Sequence, residues 1–252
     1  MSGNAQKSKI MYMLFGILGT ALIVASYFLP TWWVALQSIQ YPKAMYPKGI
    51  RIEFKYNGVY NGCKGVRERE ELAMDAGADC LIEMNKINHF IGMYPIVQGV
   101  NDTDELGNHV KYPVYAGESI PDDKIPAKIK LLDHIMRYSH FVFILFGLMG
   151  LFFVFNQKKK VSWAALIPSL APFYFLAIYV YYLYWYGHNL GLHGGGAFNG
   201  IKPFMPTVFG EGKVAQFITM SYPYIGFYVG LAGFVIFILA IKFKNQYISQ
   251  KN

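Results

Sequence analysis

KSKIMYMLFGILGTALIVASYFLPTWW, residues 7–33, carries two lysines, an uncharged run from Ile10 to Leu29, then a proline and two tryptophans. A run of that length reaches the ~20 residues that cross a hydrocarbon core, whereas a signal-peptide core is only ~7–15 residues and ends at a small-residue cleavage site. Pro30-Thr31-Trp32-Trp33 offers no such site, so the segment is expected to stay as an anchor. Three further apolar stretches, at 138–156, 161–186 and 222–241, have comparable reach. With 54% of its 252 residues hydrophobic and 15% charged, the chain is too apolar for an ordinary soluble domain, where about a quarter of residues are charged.

Short cytoplasmic flanks retain Lys and Arg. Lys7 and Lys9 precede the first span, Lys158-Lys159-Lys160 separate the second from the third, and Lys242, Lys244 and Lys251 follow the fourth. Four spans put all three clusters on one side. The expected architecture is an α-helical integral membrane protein of the inner (cytoplasmic) membrane with four transmembrane helices and an extracytoplasmic α+β loop domain between the first and second. It divides into a cytoplasmic N-terminus (1–9), a first span (10–29), an extracytoplasmic domain (30–137), a second span (138–156) and a cytoplasmic loop (157–160). A third span (161–186), an extracytoplasmic loop (187–221), a fourth span (222–241) and a cytoplasmic C-terminus (242–252) complete it. The net charge of +8 is then mostly topological and calls for no nucleic-acid partner.

Both cysteines, Cys63 and Cys80, fall in the outer segment. An oxidising compartment favours a disulfide between them, closing a short loop for ~3 kcal/mol in the chain-entropy account. Residues 49–56 alternate apolar and polar side chains, the pattern of a half-buried strand, up to Asn57-Gly58. Residues 66–78, 81–93 and 127–137 read as helical, the last as a basic amphipathic lead-in to the second span. In the third span Pro168 and Pro172 should kink the helix, and its outer half, from Tyr174 to Tyr186, is rich in tyrosine as membrane interfaces are.

His140 is the one ionisable side chain within the expected spans, which disfavours an ion pump. The Asn85–Met93 segment is more suggestive, because on a helix His89 and Met93, four apart, share one face. Thioether with imidazole is a copper-type pair, whereas methionine serves zinc poorly. A packed methionine beside a hydrogen-bonded histidine has the same spacing. His188 and His193 bracket Gly191 in a loop able to present both imidazoles, and every histidine, His109 and His134 included, lies at or beyond the expected outer surface, as do Met45 and Met84. His134 and His140 fall about 120° apart around a helix and do not converge unaided. Covalent-haem, nucleotide, nucleophile-elbow and zinc-protease motifs are missing, so no motif supports catalysis.

Together, Tyr46-Pro47-Lys48-Gly49-Ile50, Ile87-Asn88-His89-Phe90-Ile91-Gly92-Met93, Tyr186-Gly187-His188-Asn189-Leu190, Pro203-Phe204-Met205-Pro206 and Gly210-Glu211-Gly212-Lys213 resemble a family of four-span membrane proteins of largely unassigned function. That family is associated with nitrous-oxide-reductase gene clusters and other copper-handling neighbourhoods. Its pattern usually has tyrosine in place of Phe90, and the Cys63–Cys80 segment looks like an insertion. The resemblance implies an accessory role for a periplasmic copper enzyme or cytochrome, with copper as the cofactor. Two other functions suit the same residues: a metal-free membrane anchor docking a periplasmic redox protein, and a quinol- or haem-linked electron-transfer subunit using His140, His188 and the third span.

Overall fold

A computed structural model describes residues 3–43, 46–63, 80–91, 93, 96, 122–158, 161–191, 202–214 and 216–251, with the backbone alone at 82, 89–91 and 122. The helix expected at 66–78 lies outside the described residues, as do Met45, His109 and His193. The chain divides into a helical unit (Met1–Thr31, Ser139–Ala177, Tyr224–Asn252) and a sheet-containing unit (Trp32–Tyr138, Ile178–Pro223).

The helical unit holds α1 (Gly3–Phe28), α4 (Ser139–Phe155), α5 (Trp163–Ser169), the start of α6 (Ala171–Gly187) and α7 (Ile225–Lys251). Among the described residues, α1 and α7 are each long and apolar enough to cross a membrane, and there are up to four spans if each of two bent helix pairs counts as one. The expected proline kink is present: α5 and α6 meet at a 42° bend, where Pro172 has no N–H to continue the ladder. Between the helices contacts are made by small residues, as where water supplies no driving force. A Cβ on Gly16 would lie 2.6 Å from Val154, one on Gly19 would lie 3.0 Å from Phe237, and one on Gly150 would collide with the Thr20 hydroxyl. Leu14, Ile17, Leu148 and Val235 face outward and stay exposed, a surface of the kind a bilayer covers.

The second unit is built on a five-stranded antiparallel sheet in the order β3-β2-β1-β5-β4, from β1 (Trp32–Gln37), β2 (Ile50–Lys55), β3 (Gly58–Asn61), β4 (Gly210–Val214) and β5 (Phe217–Pro223). The alternating segment is β2, and Asn57-Gly58 turns it into β3, with Lys55 opposite Gly58. Residues on both sides of the chain's middle therefore share one sheet, with Val34 opposite Ile52 on one side and Ser221 on the other. Residues 222 and 223 complete β5 before α7 begins. Gly49, at φ 75°, enters β2 where a Cβ would lie 2.6 Å from the Leu36 carbonyl oxygen; glycine is required there.

One face of the sheet, with Ile50, Ile52 and Val59, packs on α2 (Cys80–Ile91) through Met84 and Ile87. The other face departs from the half-buried expectation: Arg51 and Glu53 are 9% and 6% exposed. They form a 3.4 Å ion pair, and the Arg51 guanidinium lies 4.6 Å above the Trp33 ring, an arrangement suited to a desolvated arginine. A short 3-10 turn at 122–124 leads into α3 (Ala127–Arg137), the expected amphipathic helix. Its Ile129 and Leu132 pack on Tyr182 and Tyr186 of α6.

Candidate functional site

The α2 helix carries the copper-type motif, and two devices fix its start. Cys63 and Cys80 form the expected disulfide, with Cα atoms 5.7 Å apart, tying the end of β3 to the first residue of α2. The Asn61 side-chain oxygen accepts from the backbone N–H groups of both Cys63 (2.9 Å) and Cys80 (3.3 Å). It satisfies a donor that the first turn of a helix leaves without an intrahelical partner. Along the helix, the largely buried Glu83 accepts from Lys86 Nζ at 3.0 Å and from the Tyr41 hydroxyl at 3.5 Å. Burial first, then the Glu83 carboxylate, pushes the Tyr41 hydroxyl above the ordinary tyrosine range, and the same two causes raise Tyr46.

The backbone of His89 lies in the last turn of α2, which ends at Ile91; its side chain is outside the described residues. Met93 follows the helix end, and its N–H donates to the Asn88 carbonyl at 2.8 Å, closing the terminal turn as C-terminal caps do. The Met93 side chain is half-buried and packs on the cluster of Ile125, Ile129, Leu132, Tyr182 and Tyr186. Met136 packs on the same cluster. Sequence reasoning passed over this thioether, although its spacing of four from Leu132 and seven from Ile129 marks it as part of the buried row of α3.

His188 sits just past α6 and is exposed. Its Nδ1 lies 2.8 Å from the Tyr184 carbonyl oxygen, and its ring stacks on Tyr184 with centroids 3.9 Å apart. Donation from Nδ1 to that carbonyl fixes the tautomer in which Nε2 offers a lone pair, the state a metal-ligating histidine needs. His134 makes the same contact with the Lys130 carbonyl at 2.6 Å. No group of three or more His, Cys, Asp or Glu side chains able to hold a metal occurs among the described residues, a search that does not reach the side chains of His89 or His193. Cys63 and Cys80, being bonded to each other, are not ligands.

The tyrosines of α6 are partly structural. Ser221 Oγ donates to the Val208 carbonyl (2.7 Å), accepts from Trp32 Nε1 (2.9 Å) and lies 3.0 Å from the Tyr179 hydroxyl. That network fixes α6 to β1, β5 and the segment before β4. No family model, curated protein or solved structure matches the chain.

Proposed function

We propose that the protein is a four-span accessory protein of the inner membrane, with both termini cytoplasmic, that handles copper on the outer face for a periplasmic redox enzyme of the nitrous-oxide-reductase type. The proposed ligands are His89 and Met93, completed by His188 or His193. The observation that carries the reading is the position of Met93. Its bond to Asn88 keeps it within one turn of the helix end bearing His89, and it stays partly exposed. The Nδ1 contact of His188 with a backbone carbonyl supports it as a third ligand. The resemblance of the Asn88-His89-Phe90-Ile91-Gly92-Met93 string to the copper-neighbourhood family points the same way. The role proposed is copper delivery to the partner enzyme or its assembly.

A second reading, a metal-free anchor that docks a periplasmic redox partner, draws on the same residue: Met93 also packs on Ile129 and Tyr182, as a purely structural methionine does. Copper stoichiometry under reducing conditions separates the two. Met93→Leu conserves volume and apolarity, and a packing role survives it at a cost typically under ~1.5 kcal/mol. Wild type is expected to bind Cu(I) in preference to Zn(II), and Met93→Leu and His89→Ala to lose it while remaining folded. Wild type without copper, or both variants with the wild-type amount, overturns the copper role in favour of the anchor.

A further inference from the structure

The α3 helix uses one row, Ile129 and Leu132 with the partly buried Met136, to pack on α6, and the Tyr182 hydroxyl donates to the Lys128 carbonyl at 2.8 Å. Its opposite row is apolar and exposed. Leu131, Ile135 and Tyr138 are 51%, 36% and 55% exposed. At 100° per residue, Lys128 borders this row on one side and Lys130, His134 and Arg137 on the other. The sole acid within residues 127–138 is Asp133, which is buried and bonded to Arg137 at 2.7 Å, so the exposed face is positive. The outer half of α6 extends the surface with exposed Tyr181 and Tyr184. Lys128 Nζ sits 5.5 Å above the Tyr181 ring.

We propose that this face is a binding site for anionic phospholipid of the outer leaflet. In it α3 rests at headgroup level, with Leu131, Ile135 and Tyr138 at the acyl boundary and Lys128 and Lys130 against headgroup phosphates. An apolar stripe flanked by cations and amphipathic tyrosines is the composition of interfacial helices. Each cation near an anionic surface adds attraction. Chain continuity argues for lipid over a protein partner: Tyr138 leads directly into α4, whose Phe141, Ile144, Leu145 and Leu148 are exposed and apolar. At about 1.5 Å per residue, the 17 residues of α4 fall short of a ~30 Å hydrocarbon core, so the acyl boundary falls near Tyr138. The inference rests on the helices being inserted in a bilayer and not on copper.

The test uses the full chain, with its disulfide oxidised, reconstituted in vesicles whose phospholipids are brominated on the acyl chains. Single cysteines at Leu131→Cys, Leu148→Cys and Ile39→Cys carry an environment-sensitive fluorophore; Ile135→Cys replaces the first if that variant misfolds. Positions 131 and 148 should be quenched, and position 39, where Ile39 is 99% exposed, should not. At equal mole fraction, brominated phosphatidylglycerol should quench position 131 at least about twofold more than brominated phosphatidylcholine. Lys128→Gln with Lys130→Gln should abolish that excess. Quenching at 148 with none at 131 overturns the α3 site alone, and so does equal quenching by the two lipids or an excess that survives both glutamines. Absence of quenching at 148 overturns membrane insertion and the site with it.

Discussion

At the residue scale, Lys244 separates what a lysine signals in a sequence from what it does in a fold. Its position after the last apolar run makes it a topological charge, yet in the structure it is fully buried. Its Nζ donates to the Phe153 carbonyl at 2.9 Å and lies 4.0 Å from the Phe153 ring centroid. Because α4 ends at Phe155, Phe153 carries one of the last four carbonyls, which have no intrahelical partner and sit at the negative end of the helix dipole. Lys244 thus caps α4 from α7. Lys244→Met keeps the stem and removes the cation, leaving that carbonyl without its donor, which should cost about 1–3 kcal/mol. Thermal unfolding of the detergent-solubilised protein should show a lowered midpoint for Lys244→Met and a larger drop for Lys244→Ala, which also opens a cavity. An unchanged or raised midpoint for the methionine variant means that apolar packing suffices there. The cap was not legible beforehand because nothing in a run of apolar and basic residues tells which lysine the neighbouring helices will enclose.

At the element scale, helices and turns were the readable part, and partners were not. Period-two alternation marked β2, proline chemistry marked the α5–α6 break, and the basic amphipathic pattern marked α3. Trp32–Gln37 escaped notice as β1 because it shows no alternation: it is central in the sheet, and its aromatic and aliphatic residues suit both faces. The glycine-rich Gly210–Val214 has little strand propensity of its own and is held by pairing with β5. For the candidate site, the helix carrying His89 was legible, but α2 ends at Ile91, so Met93 lies past it and not on a shared helical face. The Met136 thioether and the Glu83–Tyr41 contact were not legible, since they depend on which elements meet. The glycines of α4 provide a test of how its contact with α1 is made. A Cβ at Gly147 would find Val24 at 3.5 Å, ordinary contact, whereas one at Gly150 would strike the Thr20 hydroxyl, which itself donates to the Gly16 carbonyl at 2.8 Å. Gly147→Ala should therefore be neutral or stabilising by up to about 1 kcal/mol, and Gly150→Ala should destabilise by about 1–3 kcal/mol through overpacking. Thermal unfolding in detergent compares the pair directly, and equal midpoints would mean that the α1–α4 contact is looser than the side-chain positions imply.

At the scale of the whole molecule, the sheet and the lysine clusters bear on topology independently. Residues 32–61 and 210–223 lie in one sheet, and open sheet edges do not cross hydrocarbon. Both segments therefore share a side, and the chain between them must cross an even number of times. Within the helical unit, α4 runs antiparallel to α1, with Tyr27 beside Phe143 (4.9 Å) at one end and Tyr12 beside Phe153 (6.4 Å) at the other. The Tyr247 hydroxyl of α7 donates to Gln157 at 3.1 Å. Residues 153–157 thus lie level with the N-terminal part of α1 and the C-terminal part of α7, the arrangement expected if α4 crosses alongside them. By the positive-inside rule that end is expected to be cytoplasmic, since Lys7, Lys9, Lys158 and Lys242 cluster there. A reporter inserted after Gln157 is expected to read as cytoplasmic and one inserted near Asp122 as extracytoplasmic. The two positions answer different questions. In a two-span arrangement with only α1 and α7 crossing, Gln157 reads on the same side as Asp122, so agreement between the reporters overturns the four-span count. If the reporters disagree but with Asp122 cytoplasmic, the count stands and the lysine rule has failed for this chain. That outcome would remove the oxidising compartment assigned to Cys63 and Cys80, and with it the periplasmic partner of the proposed copper site.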